Sequence, residues 1–161
     1  VAVHVRPLCA KWCTYVPGAR ASFHAMTAAA RPDPIVTADN AFFWEACARG
    51  ELVAQRCGAC GAFAHPPRPM CPRCHSTQRE VARLSGRGEV WSWIVPRHPA
   101  PIGFAEAPVV ALIALDEGVR LVSNVVGVAP EAMRNGLRVE VAFEATAGGK
   151  AVPVFRAMGR G

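Results

Sequence analysis

The second half of the chain alternates in the manner of a β protein. Residues 89–95 place Trp91, Trp93 and Val95 on one side of an extended segment, the period-two pattern of a half-buried strand. Residues 109–115 (VVALIAL) are apolar throughout, and Asp116-Glu117-Gly118 behind them reads as a tight hairpin turn. A third strand over 119–126 closes at Gly127, and 137–144 alternates again. Between them, Ala129 to Gly136 is a short helical turn stopped by its glycine. Residues 147–150 turn the chain into a last strand at 152–155. Five short strands, with the helical turn between the third and fourth, predict a small closed barrel of the OB type. The link over 96–108 is long for a hairpin, and long ordered loops tend to carry function.

The first half reads differently. Residues 37–50 (TADNAFFWEACARG) predict a short helix with Thr37 or Asp39 as N-cap and Gly50 as the stop. Phe43, Ala46 and Cys47 share one face, while Phe42 and Trp44 spread around the others. A helix this short with three consecutive aromatics needs a surface to pack on, either its own chain or a partner protein. Cys47 reads as a small apolar filler. Residues 51–56 predict a strand, 63–69 an extended, proline-stiffened arm, and 80–84 the segment leading out. Ser85-Gly86-Arg87-Gly88 is a turn cluster and the expected boundary between two modules.

Chemistry enters between those first strands. Cys57-Gly-Ala-Cys60 and Cys71-Pro-Arg-Cys74 are two Cys-x-x-Cys knuckles. A two-residue spacer lets both sulfurs of one turn reach the same ion, so Cys57, Cys60, Cys71 and Cys74 predict a tetrahedral metal site. Zn²⁺ is the expected ion, and mononuclear iron would use the same sulfurs. Four thiolates leave no open coordination position, which makes the role structural. His65 and His75 are the substitute ligands weighed against the cysteines. Gly61 suits a turn needing positive φ, and the second knuckle carries His75 at the matching place, at some conformational cost.

Composition narrows the class. With 52% hydrophobic and 19% charged residues the chain is globular, and no apolar run reaches the eighteen or so residues of a membrane-spanning helix. Of seven cysteines, Cys9, Cys13 and Cys47 lie outside the knuckles, an odd remainder that argues against a secreted disulfide framework. A cytoplasmic location is expected. The net charge of +6 is concentrated: residues 49–87 hold seven basic residues against two acidic ones, while 88–161 balance seven against seven. Arg56, Arg68, Arg73, Arg79, Arg83 and Arg87 form either a phosphate-attracting face or a solvated one. Sixteen of the eighteen basic residues are arginine, which fits a GC-rich genome as well as any function.

The expected organisation has four parts. Residues 1–36 are an N-terminal extension, disordered or extraneous; Met26 looks like a natural start, and 1–25 are expected to be an upstream extension, either disordered or never made in the cell. A basic arm using Cys9 and Cys13 is the alternative. Residues 37–50 are a docking helix, 51–84 a zinc ribbon, and 85–158 the OB-fold domain. The fold class is therefore mainly β, with an N-terminal helix and a rubredoxin-like zinc ribbon before a five-stranded OB-fold barrel.

That order of parts resembles a known family. Phe42-Phe43-Trp44-Glu45, Gln55-Arg56-Cys57, Pro66-Pro67-Arg68-Pro69, Cys71-Pro72-Arg73-Cys74, Ser85-Gly86-Arg87-Gly88 and Leu115-Asp116-Glu117-Gly118 are similar to segments of the DUF35 zinc-ribbon/OB-fold family of acyl-CoA metabolism. The resemblance covers about residues 37–156. It implies a non-catalytic or co-catalytic subunit beside a thiolase-like protein, such as a synthase or a steroid side-chain aldolase, or beside a hot-dog-fold hydratase. It also implies that the barrel holds the CoA part of a thioester. His75 departs from the family pattern, and the chain has no length for a fused hot-dog domain.

The residues agree with a carrier role, and no catalytic residue is assigned. In the long loop, Arg97 suits a CoA phosphate, and Trp93 or Phe104 suits the acyl or pantetheine path. His98, with Glu106 the nearest acid, is a general-base candidate weighed against a surface histidine. Both aromatics are equally suited to barrel core. The rival class is a single-stranded nucleic-acid binder, favoured by the basic ribbon and by Trp91 and Trp93. The balanced charge of the barrel argues against it, because backbone tracking needs Lys and Arg on the binding face. A rubredoxin-like electron carrier is a third reading.

Overall fold

A one-helix prelude, a three-stranded ribbon and a barrel follow one another in the computed structural model, which describes residues 31–99 and 101–159. The extension assigned to 1–30, with Cys9 and Cys13, lies outside the described residues. Arg31 and Asp33, assigned to the same extension, are instead bound to the barrel. Asp33 accepts hydrogen bonds from the Thr146 hydroxyl and the Gly148 N–H, and the Arg31 carbonyl accepts one from the Ala147 N–H at 2.9 Å. The Thr146 and Gly148 donors, with Lys150 nearby, hold the Asp33 carboxyl below its ordinary range.

Helix α1 spans Ala41–Ala48. Asn40 takes the N-cap position expected for Thr37 or Asp39. Its side chain braces the incoming turn, accepting from the Thr37 N–H at 2.7 Å and donating to the Ile35 carbonyl at 3.1 Å. At the other end the chain closes at Gly50, with φ of +74°. The N–H groups of Gly50 and Glu51 donate back to Cys47 and Ala46, which caps the last carbonyls. Phe43, Ala46 and Cys47 are buried, so the expected apolar face is taken up inside the chain. Burial pushes the Cys47 thiol up to about 12, which keeps it an inert filler.

The ribbon is a sheet of order β2-β1-β3, with β1 at Val53–Cys57, β2 at Phe63–Ala64 and β3 at Arg79–Arg83. The barrel follows as β4 (Arg87–Ile94), β5 (Val109–Leu115), β6 (Arg120–Val126), β7 (Arg138–Ala145) and β8 (Ala151–Ala157). It closes in the order β4-β5-β6-β8-β7. β6 pairs β8 in parallel, and β4 pairs β7 to shut the ring. A 3₁₀ turn at Pro130–Ala132 sits between the third and fourth barrel strands, where a helical turn was expected. Ile113, Val139, Val154 and Phe155 are fully enclosed.

Two features of β4 were not read from its pattern. A bulge between Val90 and Ser92 breaks the alternation. Val90 and Trp93 therefore pair with the buried Ile113 and Ala111, whereas Trp91 turns outward under the Arg120 guanidinium, 4.1 Å from its ring centre. Trp91 and Trp93 do not share a face. Gly88 lies where β4 passes close against β5. A Cβ there would overlap the Ala114 carbonyl oxygen and stand 3.0 Å from Leu115 Cα, so the close approach admits no side chain.

One apolar core joins the modules. Phe43 of the helix, Leu52–Ala54 of the ribbon and Leu84, Leu115, Val119 and Leu121 from the linker and barrel belong to the same buried cluster. The linker is pinned as well: Glu117, in the β5–β6 turn, accepts from the Ser85 N–H at 2.6 Å.

Candidate metal centre and neighbouring grooves

The two knuckles are built alike. In the first, Cys57 N–H donates to the Ala62 carbonyl and Gly61 N–H to the Cys57 carbonyl, both at 2.9 Å. In the second, Cys71 N–H donates to Ser76 at 2.9 Å and His75 N–H to Cys71 at 3.0 Å. Gly61 and His75 occupy corresponding places with φ of +73° and 58°. His75 is the one non-glycine residue with positive φ among the described residues, as its position in the motif predicts. The second knuckle thus carries backbone strain that the first avoids.

These turns bring the four sulfurs within 4.8 Å of one another. Cys57 and Cys74 stand 3.6 Å apart, as do Cys60 and Cys71. Sulfurs about 2.3 Å from a central ion at tetrahedral angles lie about 3.8 Å from each other, so the cage fits one ion. A disulfide would need about 2.05 Å. Backbone N–H groups of Arg73 and Cys74 pull the Cys71 thiol down to about 6. The Ser76 N–H acts on Cys74 in the same direction, but neighbouring thiol sulfurs overcome it and hold that thiol up, to about 12. Four negative sulfurs this close repel each other, and a divalent cation relieves that repulsion. Neither weighed substitute joins them: His65 packs on Phe43, ring centres 5.1 Å apart, and burial depresses its basicity.

The expected ligand residues are scattered. Trp93 packs partly into the barrel core, and Arg97 and His98 are exposed in the loop after β4. Phe104 lies beneath Arg31, whose guanidinium carbon is 5.3 Å from its ring centre. Arg31 also binds the Asn124 side chain at 2.8 Å and Glu144 at 3.1 Å. It lines a groove of about 370 Å³ between helix, proline arm and barrel, with Trp44, His65, Leu121, Val122 and Pro153. Of the four expected ligand residues, only Phe104 is tied to this groove, through Arg31. A second groove, about 350 Å³, lies on the ribbon between Phe42, Pro67, Arg68, Arg79 and Val81.

Three residues that position these surfaces escaped the sequence reading. Buried Gln55 donates to the Arg68 carbonyl and accepts from the Arg68 N–H, both at 2.8 Å, which clamps the proline arm to β1. A glutamine inside an apolar strand was the available signal. Arg31 and Asp33 belong to a Pro-rich link whose partners are distant in sequence, and nothing local marks them.

Residues 44–80 match the family model described as "ChsH2, rubredoxin-like zinc ribbon domain", and residues 81–144 match "ChsH2, C-terminal OB-fold domain". A DUF35 domain-containing scaffold protein of Methanocaldococcus jannaschii is 40% identical over 57% of this chain and 67% of its own length. This chain belongs to the DUF35 family. Its similarity extends to a solved structure, "Ltp2-ChsH2(DUF35) aldolase", at 42% identity and a TM-score of 0.70, covering 78% of this chain and 98% of that one. A probable enoyl-CoA hydratase alpha subunit of Thermomonospora curvata is 43% identical over 80% of this chain. The DUF35 chain spans 40% of that relative's length.

Proposed function

We propose that this DUF35 protein is an accessory subunit that binds acyl-CoA thioesters and docks on a thiolase-like or hot-dog hydratase partner in acyl-CoA, lipid or steroid metabolism. The observation that carries the reading is the near-complete coverage of the DUF35 chain of an aldolase structure at high identity. Bond chemistry belongs to the partner. This chain contributes shape: a groove of the size of small-molecule sites, mostly apolar along its walls, with Arg31 among the residues that line it. Arg97 and His98 are exposed in the loop after β4, apart from this groove, and are suited to phosphate oxygens, while Trp93 and Phe104 offer apolar surface. Cys57, Cys60, Cys71 and Cys74 hold a structural Zn²⁺ that shapes the ribbon without meeting substrate.

The test is to purify the chain with its thiolase-like or hydratase neighbour and titrate acetyl-CoA and longer acyl-CoA by calorimetry. A stoichiometric complex that binds acyl-CoA, with Arg97→Ala weakening it about tenfold, is the expected result. A complex indifferent to acyl-CoA removes the ligand reading. Retention of single-stranded nucleic acid in place of an enzyme partner, lost as salt is raised, establishes the rival class. Metal analysis finding iron in a red protein replaces zinc.

A further inference from the structure

The ribbon sheet has an open edge. β3 pairs with β1 on one side and has no strand on the other among the described residues, and four of its five residues are exposed. Alternation puts Arg79, Val81 and Arg83 on one face of the strand and Glu80 and Ala82 on the other. Val81 is 57% exposed, an unusual place for valine, and it forms the floor of the ribbon groove with Phe42. The wall opposite β3 is the proline arm, fixed in place by the Gln55–Arg68 clamp. Arg68 and Arg79 stand at the rim, with Asp39 and Glu80 as the acids there. Arg83 lies 3.4 Å from Glu51, the arginine largely solvated and the glutamate partly buried, while Arg56, Arg68, Arg73 and Arg79 make no ion pair among the described residues.

We propose that β3 and its groove are a strand-addition site for an extended, acidic segment of a partner protein, one that presents carboxylate, apolar and carboxylate side chains in turn on a single face, as in Glu-x-Val-x-Glu. The added strand takes up the outward N–H and C=O groups of β3. Its carboxylates stand opposite Arg79 and Arg83, and the apolar residue between them covers Val81. The same arginines exclude a second copy of this chain. Antiparallel self-pairing centred on Val81 would set Arg79 against Arg83, twice over. The charges therefore block self-association and select an acidic guest. This inference rests on the docking reading for the identity of the partner, and stands on the ribbon geometry for the chemistry of the contact.

The test uses the full metal-loaded chain, a capped peptide built on Glu-Thr-Val-Thr-Glu, and its counterpart with lysine in place of each glutamate. NMR titration and amide hydrogen exchange are the readouts. The acidic peptide is expected to shift and protect the amides of residues 79–83, with binding weakened as salt is raised. Arg79→Glu with Arg83→Glu, both exposed, should lower its affinity at least about tenfold and transfer preference to the lysine peptide. Equal affinity for both peptides, or no change at 79–83, overturns the proposal. Slowed exchange of β3 that depends on protein concentration alone identifies a second copy as the occupant and also overturns it. In the complex with the enzyme partner, protection of 79–83 is expected. A bound partner that protects other residues and leaves β3 exchanging freely sinks this site but not the docking reading. Failure to bind any enzyme sinks the docking reading, and the peptide titration still decides the strip.

Discussion

The ribbon and the barrel reach stability by different routes. In the barrel, strands of seven or eight residues close on each other and bury Ile113, Val139, Val154 and Phe155 completely. In the ribbon, β1 spends its inner face on the joint with the helix and barrel, and β3 buries nothing fully. What holds the far end of the ribbon is two small turns and four converging sulfurs. A module this small lacks the core to stand without a staple, and its metal affinity becomes its folding energy. The difference shows how one chain can combine an autonomous fold with a conditional one.

Removing the metal should separate the two most strongly. A tight chelator, or Cys71→Ser, is expected to unlock residues 57–78 to hydrogen exchange while the β5–β6 and β7–β8 pairs remain protected. Simultaneous loss of barrel protection would mean that the shared core makes both modules one cooperative unit. Phe155→Ala is the converse experiment. A fully buried phenylalanine truncated to alanine costs about 3–5 kcal/mol, read as a lower denaturation midpoint. If the metal-held turns keep their exchange protection in this variant while the barrel melts, the ribbon is the more independent module.

Smaller effects sharpen the contrast within the ribbon. His75→Gly should give the second knuckle the freedom of the first and stabilise the holoprotein by about 1 kcal/mol, measured by thermal melting. Destabilisation would show that His75 makes a contact worth more than its strain. The joint between modules should weaken in mild acid. Burial lowers the folded His65 pKa beneath its ordinary 6.5, so its contribution is complete above that pH and is lost as pH falls through the folded value. His65→Phe, which keeps an aromatic ring on Phe43, should flatten the decline between neutral pH and the acid side of 6.5. An unchanged slope would place the sensitivity elsewhere.

Legibility followed the range of the interactions. The knuckles, including the positive φ of His75, could be read because a metal turn is specified within six residues. The barrel strands could be read because alternation and turn residues are local, and the OB connectivity followed from their order. The β4 bulge escaped, since Trp91 and Trp93 keep perfect alternation in sequence and only pairing with Ile113 and Ala111 reveals the extra residue. The candidate ligand set suffered similarly: proximity in the chain grouped Trp93, Arg97, His98 and Phe104, whereas the groove takes Arg31, Trp44, His65 and Leu121 from four separate segments.

The sequence by itself determined the four-sulfur cage, the succession of strands that makes an OB barrel, the helix with its apolar face and the family. These rest on short-range patterns and covalent spacing. Tertiary structure alone decided that helix, ribbon and barrel share one core, that Arg31 and Asp33 belong to the fold, that Gln55 clamps the arm, and that β3 is left open. Each of these depends on which surfaces remain after the strands have paired. A residue's neighbours across space, unlike its neighbours along the chain, are fixed only when the whole barrel has closed.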